Sequence, residues 1–472
     1  MKTSERHTQL AVVGAGPGGY PAAFHAADLG MKVVLIDRDE NPGGVCLYRG
    51  CIPSKALLHA AQLIQHAREA AAIGIRFPDP EVDFARIRAW RDEVVGKLTG
   101  GLGQLTRQRG IDFIQGTAQF RDGTSLAVAG PDGEETVVHF EHAILATGSV
   151  PAIPRFVPES PRIMDSTAAL EIAEIPRRLL VLGGGYIGLE LGQVYAAFGS
   201  EVSVVEMQAS LLPQVDPDLV KPLASCLKRE FKQILLNTRV AAMRDTGAAV
   251  EVDFESESDG KTSQTYDRVL VAVGRRPVTA GLGLETTRVE TDDQGFVKVD
   301  EHRRTAEPAI YAIGDIAGQP MLAHKATHEG RSAVEAIHGG KAVYNPRAIP
   351  AVVFTDPEIA WAGASEDEAR RQGFDVRVGA FPWQASGRAA TLDRAEGLTK
   401  IVADAADGRI LGVGIAGPGA GELIGEGVLA IEMGAVAEDL ALTIHAHPSL
   451  SETIMEAAER ILGQSTHFFQ RM

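Results

Sequence analysis

Apolar residues gather in short unbroken runs near the start of the chain and again near its middle, and glycines close each run. Leu10-Ala11-Val12-Val13 predicts a buried strand, and Gly14-Ala15-Gly16-Pro17-Gly18-Gly19 follows at once. An alanine-rich helix from Ala22 to Leu29, a turn at Gly30 and a strand from Lys32 to Ile36 come next, ending at Asp37. The order repeats. A strand from Arg178 to Leu182 runs into Gly183-Gly184-Gly185-Tyr186-Ile187-Gly188, a helix reaches Phe198, and a strand from Glu201 to Val205 ends at Glu206. Residues 54–109 read as two helical stretches, the first starting near Pro53, with Phe84, Ile87 and Trp90 at a spacing that suggests a buried stripe. Residues 116–145 and 239–273 alternate like antiparallel strands, with turns at Gly123, Gly130-Pro131-Asp132-Gly133 and Ser258-Asp259-Gly260. The character changes at Pro350. Val352 to Phe354, Phe374 to Phe381, Thr399 to Ala403 and Ile410 to Ile415 read as strands, and Gly421 to Met433 as a helix, which together make a separate α+β module.

The glycine loops carry specific chemistry because each sits between a strand and a helix. Gly14 permits the tight turn, Gly16 lets backbone approach a pyrophosphate, and Gly19 lets the helix pack close to the strand, its N-terminus facing the phosphates. Asp37 is placed to accept hydrogen bonds from ribose hydroxyls. Glu206 stands at the same offset from Gly183 as Asp37 does from Gly14. A carboxylate there suits a free 2′-hydroxyl, and no Lys or Arg occurs between Glu201 and Val220, so NAD is favoured over NADP. Three further strand ends, Leu145 to Ser149, Val271 to Pro277 around Gly274, and Tyr311 to Asp315, are either simple turns or parts of these sites.

Composition narrows the class. A chain of 472 residues needs three or four modules, and 45% hydrophobic with 23% charged residues is ordinary for a soluble enzyme. Three cysteines argue against a disulfide-built secreted protein and fit a reducing cytoplasm. The polar stretch Met1 to Gln9 is no signal peptide, and no apolar run is long enough to span a membrane. A net charge of −16 argues against nonspecific nucleic-acid or anionic-membrane binding and leaves room for a basic protein partner.

Two of the cysteines stand in Gly43-Gly44-Val45-Cys46-Leu47-Tyr48-Arg49-Gly50-Cys51-Ile52-Pro53-Ser54-Lys55. An extended segment would hold the two sulfurs roughly 16–18 Å apart, so a disulfide requires the backbone to fold back, with glycines supplying the freedom. Cys51 is expected just before a helix, where the dipole favours a thiolate. A disulfide made and broken in use is one reading; a static staple or two core thiols is the other. Two dinucleotide folds and a dithiol in one chain suggest a relay from nicotinamide through a flavin to sulfur. Near the C-terminus, His447-Pro448-Ser449-Leu450-Ser451-Glu452 offers a base and a carboxylate to orient it, while Ser449 and Glu452 also fit a helix capping box. His445 and His447 could pair on a metal, but no further ligand cluster is evident, so no metal is expected.

Together these phrases, with Phe354-Thr355-Asp356-Pro357-Glu358, resemble the flavoprotein disulfide reductase family over nearly the whole chain, and most closely its NAD-linked members that oxidise dihydrolipoamide. The resemblance implies an α/β protein with two Rossmann-like dinucleotide-binding domains and a C-terminal α+β dimerisation domain. Its boundaries would be 1–150 for FAD, 151–276 for NAD, 277–349 completing the FAD site and 350–472 for the interface. FAD would meet Gly14, Gly16, Gly19, Asp37, Gly116, Ser149, Asp315 and Ala323. NAD would meet Gly183, Gly185, Gly188, Glu206 and Gly274, with Tyr186 over the flavin and Lys55 near it, paired with Glu190. A homodimer would set Cys46 and Cys51 of one chain against His447 of the partner subunit, held by Glu452. Protein-bound dihydrolipoamide would be oxidised through a Cys46–Cys51 disulfide, the partner being a lipoyl-bearing acyltransferase of a 2-oxoacid dehydrogenase or related complex. Val45, Tyr48 and Asp37 depart from the family's commoner residues. A glutathione reductase-like activity is disfavoured by Glu206, and mercuric or large thioredoxin reductases by the cysteine-free ending His467 to Met472. A non-catalytic FAD-binding subunit is disfavoured because Cys46, Cys51, His447 and Glu452 are all present.

Overall fold

The computed structural model describes residues 3–258 and 260–469, so Asp259 of the expected turn and the last three residues lie outside the described residues. The chain forms two compact units. The first comprises Met1–Leu57, Asp83–Ala152 and Gly274–Asn345, and the second Leu58–Val82, Ile153–Val273 and Pro346–Met472.

The first unit is built on strands β1 (Thr3–Val13), β2 (Val33–Asp37), β3 (Asp112–Gln115), β4 (Thr117–Asp122), β5 (Ser125–Ala129) and β6 (Glu135–Leu145), in the order β3-β2-β1-β6-β5-β4. The strand Ile310–Ala312 joins the far half of β6. β1 pairs in parallel with both β2 and β6, whereas β4 and β5 continue the same sheet in antiparallel fashion. The unbroken apolar runs are explained by burial on both faces. Leu10, Val12, Leu35 and Ile144 enter one core with Ala22, Ala23 and Ala26 of helix α1 (Gly19–Asp28), while Ala11, Val13, Ile36 and Leu145 enter another with Phe120 and Leu126.

Two local expectations are corrected here. The dithiol segment is not a loop leading into a helix: Cys46 lies inside a short helix, α2 (Gly44–Arg49), and Cys51 is itself the first residue of α3 (Cys51–Glu69). Pro53 is accommodated in the first turn of α3, where its missing N–H costs nothing. In α4 (Phe84–Gln108), Phe84, Ile87 and Trp90 are only half-buried, and the buried positions are Arg91, Thr99, Gly103 and Thr106. The close side of that helix is selected by small residues: a Cβ on Gly103 would meet Asn41 Oδ1 at 2.0 Å.

The second unit holds an all-parallel sheet in the order Gln233–Leu235, Glu201–Val205, Arg178–Leu182, Arg268–Val271, Ile163–Met164. An antiparallel three-stranded sheet (Thr238–Asp245, Val250–Ser256, Gly260–Tyr266) packs Val250, Val252 and Phe254 against Leu180, Leu182 and Val205. The C-terminal part is a five-stranded antiparallel sheet with helices Ala420–Met433 and Glu452–Ile461 sharing its core around Phe381, Trp383, Ile401 and Ile415. The last of these helices starts at Glu452 with Ser451 as its N-cap, two residues beyond the Ser449 N-cap that the capping-box pattern suggests.

Candidate functional site

The first glycine loop needs glycine for steric reasons that the structure makes explicit. A Cβ on Gly19 would lie 1.7 Å from the Gly14 carbonyl oxygen, and Gly14 has a φ of 100°. At Gly16, by contrast, such a Cβ would make only an ordinary contact, 3.9 Å from Gly44 Cα, so this stretch of backbone is uncrowded, as close approach of a pyrophosphate requires. Asp37 ends β2 and accepts from the Ala15 N–H at 2.5 Å and the Asp39 N–H at 3.0 Å. Burial pushes the Asp37 carboxyl up, and the Asp39 and Ala15 amides act against that rise. The Gly116 N–H donates to the Asp37 carbonyl at 2.8 Å. Ser149 Oγ donates to Asp315 Oδ2 at 2.5 Å and accepts from Arg275 Nε at 2.7 Å, and Ala323 begins the helix Ala323–Ile337.

Neither Arg275 nor Glu329 was singled out in the sequence as a site residue. Glu329 is fully buried; it accepts from the Gly314 N–H at 2.6 Å and pairs with Lys325 at 3.1 Å and Arg303 at 3.0 Å, which fixes the turn that carries Asp315. Lys325 and Glu329 are spaced i,i+4 on a helix, which in sequence reads as a solvated pair. Only burial distinguishes the two cases.

Cys46 and Cys51 stand side by side, hydrogen-bonded to each other. That bond and burial push the Cys46 thiol far up, with the Lys55 charge one turn along α3 acting weakly the other way. Exposed Cys51 stands at the N-terminus of α3, where the helix dipole favours a thiolate. The dithiol segment is seated on the first glycine loop. Gly44 has a φ of 57°, and a Cβ there would stand 2.5 Å from Gly16 Cα. Tyr48, one of the departures, donates its hydroxyl to the Asn41 carbonyl at 3.1 Å, and Arg49 Nη1 reaches Asp39 Oδ1 at 2.9 Å.

In the second unit, Cβ atoms on Gly183 and Gly188 would lie 2.5 Å from the Ala272 oxygen and 2.4 Å from the Gly183 oxygen, while nothing stands within 4 Å at Gly185. Glu206 accepts from the Gly184 N–H at 2.7 Å and the Gln208 N–H at 2.8 Å. Tyr186 opens the helix Tyr186–Ala197 and is partly exposed. Glu190, on the same helix, is buried and accepts from the Phe354 N–H at 2.9 Å. Gly274, with a φ of 130°, belongs to the first unit, where its carbonyl accepts from the Ala152 N–H at 3.0 Å. Uncrowded backbone at Gly16 and open backbone at Gly185, each with a carboxylate-terminated strand beside it, fit two dinucleotides.

At the C-terminal end, one carboxylate serves both functions read from the sequence. Glu452 Oε1 lies 2.9 Å from His447 Nδ1, and Oε2 accepts from the Ser449 N–H at 2.7 Å. Although burial works against its charge, the Ser449 N–H and the His447 ring hold the Glu452 carboxyl below its ordinary value. The His447 side chain is 77% exposed, leaving Nε2 to meet another molecule. His445 does not join it: Nε2 lies 2.7 Å from Glu426 Oε1 and Nδ1 2.8 Å from the Thr443 carbonyl.

Residues 8–330 match the pyridine nucleotide-disulphide oxidoreductase family, and residues 349–458 match the dimerisation domain of the same name. Dihydrolipoyl dehydrogenases of Haemophilus influenzae and Vibrio parahaemolyticus are 47% and 46% identical to this chain over 465 residues, 98% of it and 97% and 98% of theirs. The dihydrolipoyl dehydrogenase of Thermus scotoductus is 46% identical over the full length of both. Among solved structures, LpdA of Mycobacterium tuberculosis superposes with a TM-score of 0.89 at 28% identity, covering 96% of this chain and 99% of that one. The HOCl-induced flavoprotein disulfide reductase RclA of Escherichia coli gives 0.84 at 30% identity, covering 94% and 98%.

Proposed function

Because this chain belongs to the pyridine nucleotide-disulphide oxidoreductase family, we propose that it acts as the family's dihydrolipoyl dehydrogenases do. It is an FAD-dependent, NAD-linked enzyme that oxidises dihydrolipoamide to lipoamide. It is a homodimer through its C-terminal module. The observation that carries the reading is the hydrogen-bonded Cys46–Cys51 pair, seated on the first glycine loop with Cys51 at a helix N-terminus.

FAD is assigned to the first loop, with Asp37, Gly116, Ser149, Asp315, Ala323 and Lys55 around it. NAD is assigned to the second, with Glu206, Gly274, Tyr186 and Glu190. FAD held at the first loop would supply a two-electron acceptor for the dithiol and a hydride donor for NAD+. The chain's own residues do the sulfur chemistry. His447 of the partner subunit, its Nδ1 held by Glu452, removes a proton from a substrate thiol at Nε2. The resulting thiolate attacks Cys46 Sγ of the oxidised pair, and Cys51 leaves as a thiolate stabilised by the α3 dipole. The second substrate thiol attacks the mixed disulfide, releasing lipoamide and Cys46 as a thiol. One disulfide is thereby formed and one broken, and the electron pair rests on the dithiol.

The protein-bound substrate is a lipoyl-bearing acyltransferase of a 2-oxoacid dehydrogenase or related complex. The place of action is the cytoplasm, in keeping with sparse cysteines and a disulfide used catalytically; no helix among the described residues is long and apolar enough to cross a membrane. The test is steady-state turnover of dihydrolipoamide with NAD+ and with NADP+, beside glutathione disulfide with NADPH and with NADH. Turnover in the first pair alone is expected. Activity only on glutathione disulfide overturns the assignment.

A further inference from the structure

Outside the dithiol site, one side-chain group combines three metal-ligating residue types on a single face. Glu5 and His7 are alternate residues of β1 and so project to the same side of the sheet. In the parallel pairing of β1 with β6, His7 stands directly opposite His139. The two imidazoles lie face to face, their centroids 4.8 Å apart and their planes 15° from parallel. One ligand atom from each of Glu5, His7 and His139 lies within 4.8 Å of the other two. Arg6, between the two ligands in sequence, is directed away from them, its Nε 3.3 Å from Asp112 Oδ2. The next residue on their side, Gln9, is engaged with the Lys32 N–H at 2.9 Å. Glu5 and His7 are exposed and His139 is half-buried, so all three can be reached from solvent.

We propose that Glu5, His7 and His139 bind a divalent first-row transition metal. Two imidazoles and one carboxylate are a donor set for Zn2+, Ni2+ or Cu2+, whereas Mg2+ and Ca2+ prefer oxygen throughout. Metal–nitrogen bonds of about 2.0–2.1 Å need ligand atoms about 3 Å apart, which the exposed Glu5 and His7 side chains reach by torsional adjustment towards half-buried His139. Three protein ligands leave room for water to complete the coordination. The bound ion would clamp the outer half of β1 to β6, strands that lie far apart along the chain. Its effect is on the folded state, because the unfolded chain holds no such site.

The experiment uses the intact holoenzyme, kept oxidised so that Cys46 and Cys51 offer no thiolate. Calorimetric titration with Ni2+ is expected to reveal a site that His7→Ala and His139→Ala each weaken by about tenfold or more, with a smaller loss for Glu5→Gln. Mg2+ should give no saturable heat. Ni2+ should also raise the unfolding temperature of the wild type and fail to do so in the two histidine variants. All three variants should retain dihydrolipoamide turnover, which shows that they fold. Ni2+ binding unchanged in both histidine variants, or no saturation below millimolar metal, overturns the site. Affinity unchanged in Glu5→Gln overturns the carboxylate's place in it.

Discussion

At the residue scale, function depends on small electrostatic differences between like groups. Cys46 and Cys51 are chemically identical, yet the first is half-buried and the second is exposed at the head of α3. Cys51→Ser should therefore abolish dithiol–NAD+ turnover and the long-wavelength absorbance that a thiolate beside the flavin gives on reduction. Cys46→Ser should abolish turnover but keep that absorbance, so a spectrum separates the two roles. Glu452 shows a second such difference. Its carboxyl titrates below the ordinary value in the folded chain. Its charge therefore supports the fold above the ordinary carboxylate pKa, and this support is lost as pH falls through the lowered folded value. Glu452→Gln removes the carboxylate that holds His447 Nδ1 in place at 2.9 Å. It should cut dihydrolipoamide turnover about tenfold to a hundredfold, within the range of general-base catalysis.

At the scale of elements, glycine decides what can approach what. The dithiol helix α2 reaches the first glycine loop because Gly44 and Gly16 meet backbone to backbone. Gly44→Ala combines a left-handed φ of 57° with a 2.5 Å clash against Gly16 Cα. It should cost about 1–3 kcal/mol or more, seen as a lower urea midpoint and weaker flavin retention. The strand–glycine–helix units were legible in the sequence because every determinant is local: the apolar run, the turn and the terminal acid are neighbours in the chain. The second helix pair was less legible. Phe84, Ile87 and Trp90 have helical spacing, but spacing says nothing about which side finds a neighbour, and in α4 the close contact is made by Gly103 instead. Lys325 and Glu329 carried no signal in the sequence, since an i,i+4 charge pair looks the same buried or exposed.

For the whole molecule, the C-terminal module leaves large apolar side chains in solvent within one chain. Leu429 and Met433 lie one turn apart on the helix Ala420–Met433, followed by Leu442 and by Ile444, which is 97% exposed. Such residues are expected to be covered when two copies meet through the dimerisation domain. Leu442→Asp with Ile444→Asp should convert the dimer to a monomer in light scattering. Turnover should fall with it, because in the proposed mechanism the base acting at each dithiol comes from the partner subunit.

The sequence by itself determined the two dinucleotide folds, the acids that end their second strands, the dithiol and the histidine–glutamate ending, since each is written within a few consecutive residues. Tertiary structure alone decided that Glu329 anchors the Asp315 turn, that Gly44 closes on Gly16, and that Glu5, His7 and His139 share one face of a sheet. Those relations depend on pairing and burial between distant segments, which periodicity and spacing along a single chain do not encode.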